Sequence, residues 1–164
     1  MKQVLIVSSE TSESQRVIDT ADHAIGHRKI PIITDPRLKE MNFGALESLL
    51  VSEIIAKYGN VLETLFKLKD LNMSAPEGES YIQLFLRTKA VINEIIQKHK
   101  YDGGNILVFS HGVTISNYLM QLLQMNNYTH HENCSISVVK YFEDSFHVER
   151  IADTSFRDKY YQKK

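Results

Sequence analysis

The sequence predicts an α/β protein with a mostly parallel sheet and an antiparallel pair of strands near the C-terminus. Strand-like and helix-like segments alternate along most of the 164 residues, as in strands joined by crossover helices. The last two strand-like runs, 135–141 and 146–151, are separated by a short turn and predict an antiparallel pair. With 43% hydrophobic residues the chain can bury one sizeable core, so we expect a single domain over residues 1–164.

The first half of the chain alternates short apolar runs with amphipathic segments that end at glycines. The apolar run 4–7 predicts a buried strand, and Pro31 keeps the next strand, 30–33, near an edge or a strand start. Gly26 and Gly59 end helical patterns. The helices expected in this half are 16–26, 48–58 and 61–71.

A long amphipathic helix is expected at 79–100, followed by a strand and a further helix. Glu79 and Ser80 are expected to cap the long helix. The apolar run 105–109 predicts a buried strand, and the apolar spacing over 113–123 predicts the helix after it.

His111 is the first candidate functional residue, because it lies between this strand and this helix. Ligands bind at the carboxyl ends of strands in open α/β sheets, and the N–H groups of a helix start favour an anion. Gly112 lets the backbone approach a ligand closely. A lone histidine is more often structural, but its place at this junction favours a functional role.

Two other polar side chains could complete a phosphate pocket. Arg16 lies near a helix start, and Glu40 lies in a turn beside an aromatic residue and a glycine. Taken alone, Arg16 is as readily a surface arginine, and Glu40 is more simply a solvated carboxylate. Together with His111 they suggest a phosphate-binding pocket with a proton donor.

These segments, in this order, resemble the histidine phosphatase superfamily, which includes cofactor-dependent phosphoglycerate mutases and many phosphomonoesterases. The segment 16–21 resembles the family's phosphate-binding arginine segment with one change, and 38–47 resembles the segment of its proton-donating glutamate. The similarity runs from about residue 4 to 153. The matching positions are Arg16, Thr20, Ala21, Leu38, Glu40, Phe43, Gly44, Glu47, Gly78-Glu79-Ser80, Ser110-His111-Gly112 and Asn133-Cys134-Ser135-Ile136.

The resemblance implies a three-layer α/β/α sandwich and a phosphomonoesterase-type pocket. It implies catalytic roles for His111, Glu40 and Arg16, and phosphate binding by Arg16, His111 and Gly112. The family's reaction, phosphoryl transfer through a phosphohistidine, needs neither a cofactor nor a metal, and we expect none.

One motif of the family is absent from the 164 residues: the Arg-His-Gly that carries its nucleophile at the end of its first strand. In the alignment we favour, the chain matches from the family's second strand onward, so that it is truncated and its first strand is missing or replaced. In the alternative, 4–11 matches the first strand, with Ser8-Ser9 in place of Arg-His. Either way we expect an inactive or severely impaired pseudoenzyme.

Two alternatives to a simply inactive chain stay open. One is an active phosphomonoesterase with a substitute histidine, for which His130 and His131 are the candidates, although a solvated loop pair is the simpler interpretation. The other is a pseudophosphatase that binds a phosphorylated ligand or a partner protein without turnover.

The missing strand also affects the expected assembly. In the resembling family it lies between the strand that ends at His111 and the strand 135–141. Without it the sheet must close up, leave a groove or recruit a strand, and a homodimer is one way to recruit it.

Composition narrows the partners and the compartment. The net charge of -1 does not indicate the basic surface that binding to nucleic acid or to an anionic membrane requires. No apolar run is long enough to span a bilayer. We expect a phosphorylated small molecule or phosphate as ligand. The single cysteine, Cys134, excludes an intrachain disulfide, and we expect a cytoplasmic protein.

Overall fold

The computed structural model describes residues 3–8, 12–66, 70–101, 103–125 and 128–157, with 3–8 and 12–14 described by their backbone alone. These residues include five strands and five α-helices whose bounds are defined. They are β1 (Gln3–Ser8), α1 (Ser12–Ile25), β2 (Ile32–Asp35), α2 (Val51–Tyr58), α3 (Val61–Phe66), α4 (Tyr81–His99), β3 (Asn105–Phe109), α5 (Gly112–Leu122), β4 (Ile136–Phe142) and β5 (Ser145–Asp153).

The elements follow the predicted order, with shifts at their ends. Helix α1 begins four residues before Arg16, so that Arg16 lies in its second turn rather than at its start. Helix α2 begins at Val51 rather than at residue 48. The expected helix 61–71 ends at Phe66 in the structure, and residues 67–69 lie outside the described residues.

Three strands form a parallel sheet in the order β2-β1-β3, in which Leu5 pairs with Ile32 on one side and with Leu107 on the other. Because successive side chains of a strand point to opposite faces, Ile106 and Phe109 of β3 lie on different faces. Ile106 packs with the α4 residues Val91 and Ile95, whereas Phe109 packs with buried residues of α1. Helices therefore cover both faces, which is the expected three-layer arrangement.

Strands β4 and β5 form a separate antiparallel hairpin, as the C-terminal pattern predicts. Its two turn residues, Glu143 and Asp144, have φ values of 50° and 56°. Two consecutive positive φ values are what a two-residue type I′ turn requires. Tyr141 and Phe146 lie opposite each other next to this turn, with ring centroids 4.9 Å apart.

The edges of β3 and β4 are both left without a neighbouring strand in the described part of the chain. There β3 pairs with β1 alone, and β4 pairs with β5 alone. Strand β1 lies on the β2 side of β3, so it does not occupy the position between β3 and β4. Apolar side chains are exposed on these two strands: Leu107 by 38%, Val108 by 37% and Ile136 by 48%. Of the three outcomes that the sequence leaves open, a sheet closed up between β3 and β4 is not what the described residues form, because these strands belong to separate sheets.

Helices α2 and α3 pack on a core cluster of their own beside the loop that carries Glu40. This core is centred on Leu46, Ile54, Leu65 and Ala75. Among the helices of the described residues, none combines the length and the apolar character that crossing a bilayer requires.

Candidate functional site

Arg16 and His111 are brought together although 95 residues separate them. His111 lies two residues after the end of β3, is 5% exposed and is the N-cap residue of α5. The Arg16 Nη2 atom donates to His111 Nδ1 at 3.1 Å. Because a guanidinium only donates, Nδ1 is the acceptor and the neutral ring carries its proton on Nε2. This geometry places a cation and a ring N–H donor at one helix start, which suits the binding of an oxyanion.

Glu40 occupies part of the same helix start. Its carboxylate accepts hydrogen bonds from the backbone N–H groups of Val113 at 3.2 Å and Thr114 at 3.0 Å. It also accepts from the N–H of Met41 at 3.0 Å, and its Oε1 atom lies 3.0 Å from the Thr114 hydroxyl oxygen. The expected anion at the start of α5 is therefore, in part, the protein's own carboxylate, which satisfies two N–H groups that have no partner within the helix.

The loop before Glu40 is also bonded to the segment that contains His111. Ser110 donates from its hydroxyl to the carbonyl of Leu38 at 2.6 Å, and Thr114 donates to the carbonyl of Lys39 at 2.8 Å. Side chains on both sides of His111 thus bind the loop that carries Glu40. The positions of the two candidate residues are coupled through these contacts.

The space beside Gly112 is limited by protein rather than open for a ligand. A Cβ atom at Gly112 would lie 3.3 Å from the carbonyl oxygen of His131. The glycine therefore permits a close approach between α5 and the 128–131 segment. The sequence suggests instead that a glycine at this position lets the backbone approach a ligand. Phosphate binding by Gly112 stays a prediction.

His131, a candidate substitute nucleophile, is buried and both of its ring nitrogens are bonded. Nδ1 lies 2.7 Å from Ser116 Oγ and 3.1 Å from the carbonyl of Thr129, and Nε2 lies 2.9 Å from Ser137 Oγ. A carbonyl only accepts, so Nδ1 carries the proton and Nε2 accepts from Ser137. Burial lowers the pKa of His131 and keeps the ring neutral. Its side chain anchors the β4–β5 hairpin to α5, whereas its neighbour His130 is exposed.

Tyr81 forms part of the apolar base beneath this region. It is 1% exposed and packs with Met41 and Leu84, with Val113 against the same cluster. Burial raises the pKa of its hydroxyl to about 12, and the nearby Tyr128 phenol and Glu40 carboxylate raise it further. The phenol therefore stays protonated at neutral pH.

The role of Glu79 differs from the sequence expectation. Ser80 caps α4 as predicted: its Oγ accepts from Gln83 N at 3.3 Å, and Gln83 Oε1 accepts from Ser80 N at 2.8 Å. Glu79 does not cap the helix but binds Arg87 at 2.6 Å and the N–H of Asn42 at 2.8 Å. Neither contact is indicated by local sequence: Glu79 and Arg87 are eight residues apart rather than the three or four of helix neighbours, and nothing local indicates that Thr114 binds Glu40.

Comparison with known proteins identifies the family. The model of the "Histidine phosphatase superfamily (branch 1)" matches residues 2–154. The chain therefore belongs to the histidine phosphatase superfamily, as the order of motifs predicts. In the described residues no group of three His, Cys, Asp or Glu side chains is placed to hold a metal ion.

Two curated relatives are named as phosphoglycerate mutases. The chain is 31% identical over 115 residues to "2,3-bisphosphoglycerate-dependent phosphoglycerate mutase 2" of Gloeobacter violaceus, covering 70% of this chain and 52% of that protein. It is 26% identical over 166 residues to "Probable phosphoglycerate mutase GpmB" of Yersinia enterocolitica, covering 93% of this chain and 73% of that protein. The chain thus spans about half of the first relative and about three quarters of the second.

Solved structures share the phosphoglycerate mutase-like fold. A phosphoglycerate mutase from Bacillus anthracis superposes with a TM-score of 0.79 at 25% identity, covering 95% of this chain and 74% of that one. A mycobacterial glucosyl-3-phosphoglycerate phosphatase, in complex with inorganic phosphate, superposes with a TM-score of 0.77 at 20% identity, covering 93% and 78%.

Proposed function

We propose that this chain binds the phosphoryl group of a phosphorylated small molecule at Arg16, His111 and Gly112. The observation that carries the proposal is the contact between Arg16 Nη2 and His111 Nδ1 at the start of α5. It puts a guanidinium and an imidazole beside a helix N-terminus, where Val113 and Thr114 already bind Glu40 and a phosphoryl oxygen would use the N–H of Gly112. Glu40 lies at the same helix start and is the candidate proton donor of the site.

The names of the relatives support a phosphate ester as the ligand class. Two of them are named for mutases of phosphoglycerate and one for a phosphatase of glucosyl-3-phosphoglycerate, which was solved with inorganic phosphate. The features common to these ligands are a phosphoryl group and a hydroxylated carbon skeleton. We propose this class for the present chain, in the cytoplasm, where its single cysteine, Cys134, would stay reduced.

We further propose that the 164-residue chain by itself turns over such an ester slowly or not at all. Its sequence contains no Arg-His-Gly, and phosphoryl transfer through a phosphohistidine needs a histidine nucleophile in the pocket. His131 does not supply one, because its ring is buried and bonded on both sides. Loss of a covalent nucleophile leaves only positioning and electrostatics to lower the barrier.

Hydrolysis of p-nitrophenyl phosphate tests this proposal directly. We expect the wild type and His111→Ala to release p-nitrophenol at the same background rate, while inorganic phosphate raises the melting temperature of the wild type more than that of His111→Ala. Turnover by the wild type that His111→Ala abolishes would show that the pocket is catalytic. His130→Ala would then test the exposed histidine as the nucleophile.

We also propose that a second copy of the chain covers the open edges of β3 and β4. Leu107, Val108 and Ile136 expose apolar surface on these two strands, and unpaired strand edges readily pair with another chain. The net charge of -1 puts little repulsion between copies. Sedimentation equilibrium should therefore give twice the monomer mass of 18.9 kDa. A monomer at every concentration tested would contradict this assembly.

A further inference from the structure

The backbone from Arg37 to Glu40 is held almost entirely by side chains. It begins within a 3-10 helix, Pro36–Leu38, and belongs to no sheet, so its carbonyl groups have no strand partners. Ser110 binds the carbonyl of Leu38, and Thr114 binds that of Lys39, both from the His111 side. On the opposite side the loop faces α4.

On that opposite side one side chain, Arg87, binds the same stretch of backbone. Its Nη1 atom donates to the carbonyls of Arg37 at 2.7 Å and Lys39 at 2.9 Å. Its Nη2 atom donates to the carbonyl of Glu40 at 3.0 Å. The carbonyls from Arg37 to Glu40 are thus each bound by at least one side chain, and Arg87 binds three of the four.

Glu79 accepts hydrogen bonds from the remaining N–H groups of the Arg87 guanidinium. Arg87 Nε donates to Glu79 Oε2 at 3.0 Å, and Nη2 donates to Glu79 Oε1 at 2.6 Å. All five N–H bonds of Arg87 therefore have acceptors. The side chains of the pair are only 17% and 15% exposed, and Glu79 Oε1 also accepts from Asn42 N at 2.8 Å. The pair binds the loop on both sides of Glu40, through Lys39 and Glu40 itself and through Asn42.

We propose that Arg87 and Glu79 are positioning residues that hold the Glu40 carboxylate at the first turn of α5, beside His111. The inference rests on the proposed function, because the effect on ligand binding passes through that site. Arg87 touches neither Arg16 nor His111 in the contacts described above. Its influence reaches the pocket through the backbone of residues 37–40 and then through the bonds from Glu40 to Val113 and Thr114.

The test combines a ligand-binding measurement with one that needs no ligand. In Arg87→Met we expect vanadate, an analogue of the phosphoryl group, to bind about fivefold more weakly, because small displacements of positioned groups weaken a site. We also expect the amides of Val113 and Thr114 to exchange with solvent about tenfold faster, as measured by NMR, because their carboxylate acceptor is no longer held. Arg87→Lys keeps the charge but loses the planar fork, so it should show the same two changes.

Arg37→Met is the matched control. Arg37 lies in the same loop, and its guanidinium makes bidentate contacts with Glu94 and Asp35 instead of binding the loop carbonyls. Arg37→Met should therefore leave vanadate affinity and the exchange at Val113 and Thr114 at wild-type values. A change as large as that of Arg87→Met would show a general effect of losing a loop arginine and would overturn the proposal.

A double-mutant cycle with Glu40→Gln separates positioning from general stability. If Arg87 acts through Glu40, Arg87→Met should weaken vanadate binding no further in the Glu40→Gln background. An equal loss in both backgrounds would overturn the proposal, as would unchanged exchange at Val113 and Thr114 in Arg87→Lys. Failure of the wild type to bind vanadate would instead contradict the proposed function, while the exchange measurement would still decide the role of Arg87. If Arg87→Met does not fold, Arg87→Lys provides the same comparisons.

Discussion

Arg16→Ala should raise the dissociation constant for vanadate by about 10- to 100-fold. A hydrogen bond to a charged group contributes about 1.5–3 kcal/mol, and this range corresponds to that loss of affinity. Removal of the guanidinium also takes away the donor to His111 Nδ1, so the imidazole loses the contact that fixes its proton on Nε2. Isothermal titration with vanadate, at constant ionic strength, measures the change.

Two further arginine variants make this result specific to the pocket. Arg16→Lys keeps a positive charge but presents a single ammonium group, so it should recover only part of the affinity. Arg28→Ala removes an arginine that follows the same helix, where it binds the carbonyls of Ala24 and Ile25, and should leave vanadate binding unchanged. If Arg16→Ala binds vanadate with the affinity of the wild type, every proposal that uses this pocket is contradicted.

The fold and the place of His111 could be predicted because local patterns and one topological rule determine them. Alternating strands and helices predict the parallel sheet, and the carboxyl end of β3 places His111 at the start of α5. The turn residues Glu143 and Asp144 were expected between two strands, and their conformation permits the hairpin. The order of family motifs added Arg16 and Glu40, which periodicity alone leaves as surface residues.

Contacts between side chains and irregular backbone could not be predicted in the same way. Arg87 binds three carbonyls about 50 residues earlier in the chain, and no periodic pattern encodes such a contact. The two ring bonds that make His131 an anchor likewise depend on Ser116 and Ser137, which only the packed structure brings to it. Long-range polar contacts of this kind are set by tertiary packing rather than by local propensity.

Gly44→Ala should destabilise the fold by about 3 kcal/mol or more, because two separate costs coincide at this position. Gly44 has a φ of +54°, a conformation that side chains with a Cβ rarely adopt. A Cβ there would also lie 2.2 Å from the carbonyl oxygen of Pro76 and 2.3 Å from the nitrogen of Gly78. Both obstacles are backbone atoms, so no side-chain rotation can relieve them.

Hydrogen bonds between the loop that contains Gly44 and the loop that contains Gly78 make it energetically costly to move the two loops apart. Ala45 N donates to the carbonyl of Pro76 at 2.8 Å, and Glu79 N donates to the carbonyl of Asn42 at 2.9 Å. Separation of the loops would break these bonds and would disturb Glu79 beside Arg87. Since each kcal/mol lowers the melting temperature of a domain of this size by roughly 2–4 °C, a drop of roughly 6–12 °C is expected by calorimetry.

Gly26→Ala is the matched control for the backbone cost alone. Gly26 also has a positive φ, +58°, but no atom lies within 4 Å of the Cβ it would gain. Its substitution should therefore cost about 1 kcal/mol, the penalty for a left-handed conformation without a steric clash. The difference between the two variants measures the close approach of the Gly44 and Gly78 segments. Equal destabilisation by both substitutions would mean that these two loops do not pack against each other as described.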